Sequence, residues 1–255
     1  MRPHFLHFLF LMPFFAIAAS ERGFVEVVKE VKPSVVGIGV HAPLATVSNQ
    51  LQGTGFVVGN GKYVVTNKHV VNSQLEEGIK SQRVVFVPHG ASSKVLPIKQ
   101  IFKSENRDIA IVELETALPA LKLVAPSAVI DDGSSVAITG FPIGAVLGLY
   151  PATHAGIVAA FTPDVIPAQH SSQLSQRFLT RAEAPAMIYQ LDLTAYPGNS
   201  GSPVYLSDNG AVFAVINKVF VKETKEAAIE KPSGITYAVP VSEVYELAAK
   251  HGIAL

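Results

Sequence analysis

The sequence predicts an all-β protein whose antiparallel strands form a sandwich or a barrel. Short Val- and Ile-rich runs recur along most of the 255 residues, and turn signals of Gly, Asn and Asp separate them. Clear helical spacing is found only near the two ends of the chain, so alternating βαβ units are not expected. Because 49% of the residues are hydrophobic, the chain can bury a substantial core.

Residues 1–19 have the pattern of a secretory signal peptide. A basic start precedes the apolar run 5–18, and Ala16-Ile17-Ala18 has the small side chains of a cleavage site. A membrane anchor is disfavoured, because spanning a bilayer takes about 20 apolar residues and Pro13 interrupts this shorter run. We expect cleavage after Ala18 or Ala19, with periplasmic localisation or secretion and no stable membrane anchor afterwards.

The mature chain is predicted to begin and end with a short helix. Apolar residues within Glu21–Val31 recur on one helical face, and Pro33 ends this segment. Ser242–Lys250 is predicted as the closing helix, with Ser242 as its N-cap and Gly252 beyond its end.

The predicted strands are the apolar runs between these helices. They are Val35–Val40, Gly55–Val58, Tyr63–Thr66, Val84–Val87, Ile109–Leu114, Val136–Thr139, Ile157–Ala160, Ile188–Leu191, Val204–Leu206, Val212–Ile216 and Thr236–Val239. Two segments are less regular. Residues 163–186 are predicted to form a mobile surface loop, and 221–232 a solvated connection.

Charge and composition exclude several classes of function. The net charge is zero and the pI is near 7.1, so neither a basic surface for nucleic acid nor an acidic tail is indicated. The absence of cysteine rules out disulfides and thiol catalysis. The histidines lack the spacing of a zinc motif, and we expect neither a metal nor another cofactor.

Residues 195–204 form the stretch with the strongest chemical signal. Ser200 lies in the run Gly198-Asn199-Ser200-Gly201. The two glycines allow the backbone to turn tightly and leave little bulk around the Ser200 hydroxyl. Such a turn can direct the amides of Gly198, Asn199 and Ser200 at one point, where they would form an oxyanion hole. A glycine-rich turn can also join two strands without any chemistry.

A serine hydroxyl needs a nearby base, and His69 is the candidate. It follows the predicted strand Tyr63–Thr66 in a polar turn, whereas His41, His89, His154, His170 and His251 lie in no comparable context. Asp108 is the preferred partner that would orient His69, because it begins an apolar strand and lies between His69 and Ser200 in the chain. Asp192 is the rival, but it lies only eight residues before Ser200 and more plausibly supports the turn.

These segments resemble the trypsin-like serine proteases, and most closely the HtrA/Deg branch. The resemblance covers nearly all of the mature chain. The matching segments are 53–58 with 63–71 around the histidine, 108–112 around the aspartate, 190–204 around the serine, and 24–37 and 237–240 at the two ends.

The resemblance implies two six-stranded antiparallel β-barrels, at about 34–120 and 121–240 within a protease domain of residues 20–255, with the triad between them. It also implies hydrolysis of polypeptide substrates through an acyl-enzyme, action on misfolded or unfolded proteins, and compatibility with a homotrimer.

Three departures from the HtrA pattern bear on the branch of the family and on regulation. Ser202 replaces a usual glycine and resembles glutamyl endopeptidases instead. No segment matching a PDZ domain follows the closing helix, so regulation through that domain is not expected within this polypeptide. Asn199 replaces the aspartate that pairs with a new N-terminus in digestive relatives, so we expect ordering of loops 141–153 and 163–186 to control activity instead.

The resemblance also implies a substrate pocket. Thr194 and Ala195 would line its entrance, and Val215, Ile216 and Asn217 would flank it. These residues are small or mostly apolar, which predicts cleavage after small or medium aliphatic residues.

Two other functions compete with peptide hydrolysis. An inactive peptide-binding or chaperone protein on the same fold remains the alternative, whereas an α/β-hydrolase esterase has another motif and the order Ser, acid, His.

Overall fold

The computed structural model describes residues 23–73, 75, 80–90, 92–142, 149–164, 186–219 and 234–255. The predicted signal peptide, the 221–232 connection and most of the 163–186 loop lie outside these ranges. Within them, no helix has the length and apolar character needed to cross a membrane.

The described residues form three α-helices and thirteen strands. The helices are α1 (Phe24–Val31), α2 (Lys68–Val71) and α3 (Ser242–Lys250). The strands are β1 (Val35–His41), β2 (Asn49–Val58), β3 (Tyr63–Thr66), β4 (Gln82–His89), β5 (Ser92–Pro97), β6 (Gln100–Lys103), β7 (Ala110–Glu113), β8 (Ser135–Gly140), β9 (Ala152–Pro163), β10 (Met187–Asp192), β11 (Pro203–Leu206), β12 (Val212–Val219) and β13 (Ile235–Pro240).

The strands form one open sheet and one closed barrel. The open sheet has seven strands in the order β5-β4-β1-β2-β3-β7-β6, and the barrel has six in the order β10-β13-β12-β11-β8-β9. The all-β antiparallel prediction is confirmed, but the prediction of two six-stranded barrels is not. Pro97 ends β5 without an N–H to donate, and two residues later the amide of Lys99 already donates to Glu113 on β7 at 2.9 Å. The chain therefore passes from β5 to β6 without a ladder between these two edges.

Three hydrophobic cores stabilise the fold, and one of them joins the open sheet to the barrel. One lies in the open sheet, around Val36, Val64 and Val112, and one fills the barrel, around Leu191 and Phe213. The third joins them and includes buried residues of both sheets, with the inner faces of α1 and α3 packed against it. Burial of these side chains from water is the main force that fixes the sheet on the barrel.

The segment that links the sheet to the barrel also bonds to both. The amide of Leu121 donates to Val57 on β2 at 2.8 Å, and that of Val124 donates to Val212 on β12 at 2.9 Å. Arg107, only 12% exposed, adds an ion pair from the open sheet to Glu243 of α3 at 3.0 Å. These contacts hold the two halves in one orientation, with the candidate site at their junction.

Helix α3 has the predicted bounds but not the predicted cap. Val241 is the N-cap, and Ser242 is the first helical residue. The Val241 carbonyl accepts from the amides of Val244 and Tyr245, while its own amide donates to Phe213 at 2.9 Å. Attachment to the barrel therefore starts the helix one residue earlier than the serine signal indicates. Gly252 lies beyond the helix with a φ of 67°, as its position predicts.

Candidate active site

His69 and Asp108 form a close pair at the edge of the open sheet. The imidazole Nδ1 lies 2.6 Å from Asp108 Oδ2, and the His69 amide donates to Asp108 Oδ1 at 2.9 Å. One carboxylate therefore holds both the backbone and the ring of His69. Since Nδ1 faces a carboxylate, its proton belongs on that nitrogen, which leaves Nε2 able to accept a proton.

The register of two neighbouring strands produces this pairing. β3 and β7 are antiparallel, with Thr66 opposite Ala110. His69 follows this pair on α2 and Asp108 precedes it, so both residues emerge from the same end of the ladder. Asn67 reinforces the arrangement, because its buried side chain donates from Nδ2 to the Asp108 carbonyl at 2.9 Å.

Asp108 is held in its charged form. Burial alone raises the pKa of its carboxyl group, but the hydrogen bonds and charge of His69 outweigh burial and lower the pKa below the ordinary value of 3.8. The Asp108 side chain is 23% exposed and that of His69 is 49% exposed, so the pair is open to solvent on the imidazole side. A carboxylate beside Nδ1 can stabilise an imidazolium when one forms.

Ser200 lies in a tight turn before barrel strand β11. The Asn199 amide donates to the Tyr196 carbonyl at 3.0 Å, and Gly198 has a φ of 99°. This combination matches a type II turn, which requires a left-handed third residue and therefore favours glycine at position 198. Gly201 follows with a φ of 85°, and its amide donates to Ile216 on β12 at 2.9 Å.

The amides in this turn differ in their availability. Those of Gly198 and Ser200 have no acceptor in the described part of the chain, whereas the Asn199 amide is engaged with Tyr196. Of the three amides predicted for the oxyanion hole, the Asn199 amide is therefore already engaged in this conformation. The physical reason is the turn itself, because closing it uses the N–H of Asn199.

The serine turn lies beside the histidine helix. A Cβ added to Gly53 would lie 2.7 Å from a Val70 methyl group and 3.0 Å from the Ser200 carbonyl oxygen. Both groups therefore converge on one face of Gly53. No hydrogen bond between His69 and Ser200 is present among the described residues. The structure thus places His69 in contact with Asp108. Ser200 lies against strand β2, beside this pair, but is not bonded to it.

A buried polar cluster supports the serine turn from behind. Asn199 and Ser202 are fully buried, and neither side chain has a hydrogen-bond partner within the described ranges. A Cβ on Gly140 would lie 2.1 Å from Ser202 Oγ and 2.8 Å from Asn199 Oδ1. The turn therefore packs directly on the backbone of β8, which leaves space only for glycine at position 140.

The predicted pocket residues are divided between surface and core. Ala195, Val215 and Ile216 are fully buried in this structure, whereas Thr194 and Asn217 are partly exposed. Asn217 lies at a β-bulge in the β12–β13 ladder, and its buried Oδ1 has no hydrogen-bond partner among the described residues. A β-bulge changes the direction of the side chain at that position. Asn217 is therefore partly exposed, although the preceding residues of β12 are buried.

Two residues near the turn, His154 and Thr54, were assigned no role from the sequence. His154 lies with its ring centroid 5.7 Å from that of Tyr196, and burial lowers the pKa of its imidazole. Thr54, on β2, donates its hydroxyl hydrogen to the Gly198 carbonyl at 2.7 Å. The sequence offered one signal for Thr54, its position between Gly53 and Gly55. Asp192 is exposed and has no contact with His69, so the structure pairs the histidine with Asp108 instead.

The chain thus combines an open antiparallel sheet and a closed barrel with a His–Asp pair beside a Gly-Asn-Ser-Gly turn. This combination defines a class of β-rich proteins that carry these residues in the order His, Asp, Ser. The family model for the trypsin-like peptidase domain matches residues 53–215, which is more than half of the chain. The chain therefore belongs to the trypsin-like peptidase family.

Relatives of this chain belong to the HtrA branch, which confirms the predicted resemblance. The chain is 26% identical over 200 residues to a probable periplasmic serine endoprotease DegP-like of Pseudomonas fulva, covering 78% of this chain and 34% of that protein. It is 29% identical over 217 residues to the magnetosome formation protease MamE of Paramagnetospirillum magneticum, covering 81% and 24%. The chain thus spans about a quarter to a third of the length of these two relatives.

Solved structures of HtrA-type proteases share the fold. The HtrA-type protease AlgW with tripeptide has a TM-score of 0.62 at 20% identity, covering 91% of this chain and 65% of that one. The serine endoprotease from Yersinia pestis has a TM-score of 0.61 at 19% identity, covering 90% and 66%. At this level of identity the similarity concerns the fold.

The described residues contain no group of three or more His, Asp or Glu side chains that could hold a metal ion. The His–Asp pair supplies an imidazole and a carboxylate, and the neighbouring serine turn supplies a hydroxyl and two backbone amides that have no acceptor among the described residues. Together these are the groups needed to attack a carbonyl carbon and stabilise the charge that forms on its oxygen.

Proposed function

We propose that this chain is an exported serine endopeptidase in which Ser200, His69 and Asp108 act as nucleophile, base and orienting carboxylate. The observation that carries the proposal is the 2.6 Å contact between His69 Nδ1 and Asp108, beside a serine turn with two unengaged amides. The family model and the HtrA relatives support the same activity.

The proposed reaction proceeds through an acyl-enzyme. Ser200 Oγ attacks the carbonyl carbon of a peptide bond while His69 Nε2 accepts the hydroxyl proton, and the carbonyl oxygen becomes an oxyanion bound by the amides of Gly198 and Ser200. Collapse of this intermediate breaks the C–N bond, and the leaving amine takes the proton from His69. Water, deprotonated by the same nitrogen, then hydrolyses the ester. Asp108 remains a carboxylate throughout.

This reaction requires His69 and Ser200 to approach within hydrogen-bonding distance. Catalytic hydrogen bonds in ligand-free enzymes are often long and shorten when substrate binds, so the absence of this bond is compatible with the proposal. The same absence favours the alternative, an inactive protein that binds peptides on this fold.

Covalent labelling separates the two functions. A fluorophosphonate probe should label the wild-type full chain at Ser200, and casein should be digested. Ser200→Ala should abolish both, since losing such a group commonly costs several orders of magnitude in rate. Ser202→Ala is the matched control, because the Ser202 hydroxyl has no hydrogen-bond partner in the part of the chain that the structure describes, and this variant should still be labelled. Peptide binding without labelling of the wild type would establish the alternative.

Substrate class, specificity and location are part of this proposal. The structure of AlgW with tripeptide supports polypeptide substrates, and the periplasmic location in the name of the DegP-like relatives supports export. We propose misfolded or unfolded proteins as the substrate class, which the resemblance to the HtrA/Deg branch implies. We propose cleavage after small or medium aliphatic residues, with Thr194 and Asn217 at the accessible edge of the pocket. A peptide-library digest cleaved mainly after Glu, Arg or Lys would contradict this specificity.

The proposed homotrimer and the proposed two units, about 34–120 and 121–240, are open to direct measurement. Light scattering of the full chain would give its mass in solution, and limited proteolysis would find the boundary between the units. Loop ordering as the control on activity predicts that hydrogen exchange in 141–153 and 163–186 slows when a covalent inhibitor binds.

A further inference from the structure

Thr54 contacts the serine turn through both its side chain and its backbone. It lies on β2 in the open sheet, opposite Gly37 on β1, and is fully buried. Its hydroxyl donates to the Gly198 carbonyl at 2.7 Å, and its amide donates to the Ser200 carbonyl at 2.8 Å. The same hydroxyl oxygen accepts from the amide of Phe141 at 3.1 Å. One residue of the sheet therefore binds two alternate carbonyls of a turn that belongs to the barrel.

These two bonds fix two peptide planes at both ends. The plane between Gly198 and Asn199 is bound by Thr54 at its carbonyl and by Tyr196 at its N–H. The plane between Ser200 and Gly201 is bound by the Thr54 amide at its carbonyl, and by a β12 carbonyl at its N–H. A planar peptide unit held at both ends cannot rotate freely.

The amides proposed for the oxyanion hole belong to two other planes. One joins Pro197 to Gly198, just before the first bound plane, and the other joins Asn199 to Ser200, between the two bound planes. The N–H groups of Gly198 and Ser200 have no acceptor among the described residues, and each lies next to a plane that Thr54 holds. The alternation of bound carbonyls and unengaged amides leaves both N–H groups available to one ligand oxygen. Donors that are already oriented need no reorganisation when negative charge develops.

We propose that Thr54 is a positioning residue that orients the Gly198 and Ser200 amides towards the oxyanion of the reaction. The inference rests on the proposed function, because it assigns Thr54 a role in the same peptide hydrolysis. It also makes the catalytic turn of the barrel dependent on a hydroxyl group supplied by the open sheet. Thr54 itself contacts no reacting atom.

The test compares Thr54→Val with Thr54→Ser in the full chain. Valine keeps the shape of threonine but cannot donate to the Gly198 carbonyl, whereas serine keeps the hydroxyl. Thr236→Val is the matched control, because Thr236 is also fully buried and donates its hydroxyl to the Leu193 carbonyl at 2.9 Å. Each valine variant thus loses one buried hydroxyl–carbonyl bond, and only the bond of Thr54 reaches the serine turn. Thr54→Val also removes the acceptor of the Phe141 amide, and Thr54→Ser, which keeps it, controls for that loss.

The expected result is a selective loss in kcat. Removing one oxyanion donor costs about 100- to 1,000-fold in kcat, so misorienting the donors should cost roughly 10- to 100-fold in Thr54→Val. KM should change by less than about threefold, because interactions made only in the transition state leave ground-state binding intact. A peptide aldehyde, which adds to Ser200 as a tetrahedral adduct, should lose affinity by the same factor as kcat. Thr54→Ser and Thr236→Val should remain near wild type.

Each other outcome overturns a distinct statement. If wild type hydrolyses peptides but Thr54→Val matches Thr236→Val in kcat and aldehyde affinity, the positioning role is wrong and the proposed function stands. A raised KM at unchanged kcat, or a loss that Thr54→Ser does not rescue, also refutes the role. If Thr54→Val does not fold, Thr54→Cys replaces it as a weaker donor, with the same split expected. If wild type neither hydrolyses peptides nor labels at Ser200, both proposals fail together.

Discussion

Asp108→Asn should abolish most activity while preserving the shape of the site. The carboxylate accepts from the His69 amide at 2.9 Å and from the ring Nδ1 at 2.6 Å. An asparagine oxygen can still accept from the amide, but its NH₂ group then faces Nδ1, so the ring proton moves to Nε2. That nitrogen must accept the Ser200 proton, and in this tautomer it cannot. In triad enzymes the same change lowers kcat about 10⁴-fold, which corresponds to about 5 kcal/mol in the activation barrier.

The assay is hydrolysis of a peptide ester or amide by the full chain, with circular dichroism to confirm folding. Asp192→Asn is the matched control, because Asp192 is an exposed aspartate with no contact to His69, and it should remain within about twofold of wild type. The loss in Asp108→Asn should also diminish at high pH, where hydroxide can attack without the base. If Asp108→Asn keeps more than about a tenth of the wild-type kcat, or if Asp192→Asn carries the loss, the assignment of Asp108 is wrong.

Three further predictions concern stability, measured by urea unfolding. Gly201→Ala should lose at least about 2 kcal/mol, because its φ is 85° and a Cβ would meet a β2 carbonyl oxygen at 2.1 Å; Gly133→Ala, with the same φ and open space, should lose only about 1 kcal/mol. Arg107→Met should cost about 2 kcal/mol because Arg107 is 12% exposed, whereas breaking the exposed ion pair of Lys250 with Lys250→Met should cost less than about 1 kcal/mol. The third prediction concerns pH. Because the folded pKa of Asp108 is depressed, the stabilisation that its carboxylate contributes is fully present above its unfolded pKa of about 3.8 and is lost as pH falls through the folded pKa. Wild type and Asp108→Asn should therefore converge in stability as pH falls below 3.8. Equal losses in either matched pair, or a stability difference that persists in acid, would contradict the reasoning.

The hydrophobic pattern predicted those strands whose side chains reach a core. Strand β3 was predicted with its observed bounds, because every residue of Tyr63–Thr66 favours a strand and three of the four are buried. Strands β5 and β6 were not predicted. Strand β5 begins with two serines and a lysine, contains only two apolar residues before its final proline, and therefore has a weak hydrophobic signal. Strand β9 extends over Ala152–Pro163, well beyond the predicted Ile157–Ala160, because pairing with β8 and β10 extends a segment whose small residues give little signal.

The chemistry-bearing residues were easier to predict than the contacts that position them. Chain order and strand context predict the pairing of His69 with Asp108, and the contact between their side chains depends on the β3–β7 register that the apolar pattern sets. The engagement of the Asn199 amide could not be predicted, because it depends on a turn dihedral at Gly198. Nor could the role of Thr54, which depends on how one sheet docks against the other. Such contacts arise from tertiary packing between residues more than a hundred positions apart.

The His69–Asp108 pair is formed within the open sheet, whereas the serine turn extends from the barrel. The two parts therefore belong to different structural units, which contacts such as the bond from the Thr54 amide to the Ser200 carbonyl hold together. Neither unit alone carries all three groups, so their arrangement depends on how the barrel docks on the sheet. A substitution that loosens this docking should consequently slow hydrolysis even where the imidazole–carboxylate contact and the serine turn are both preserved.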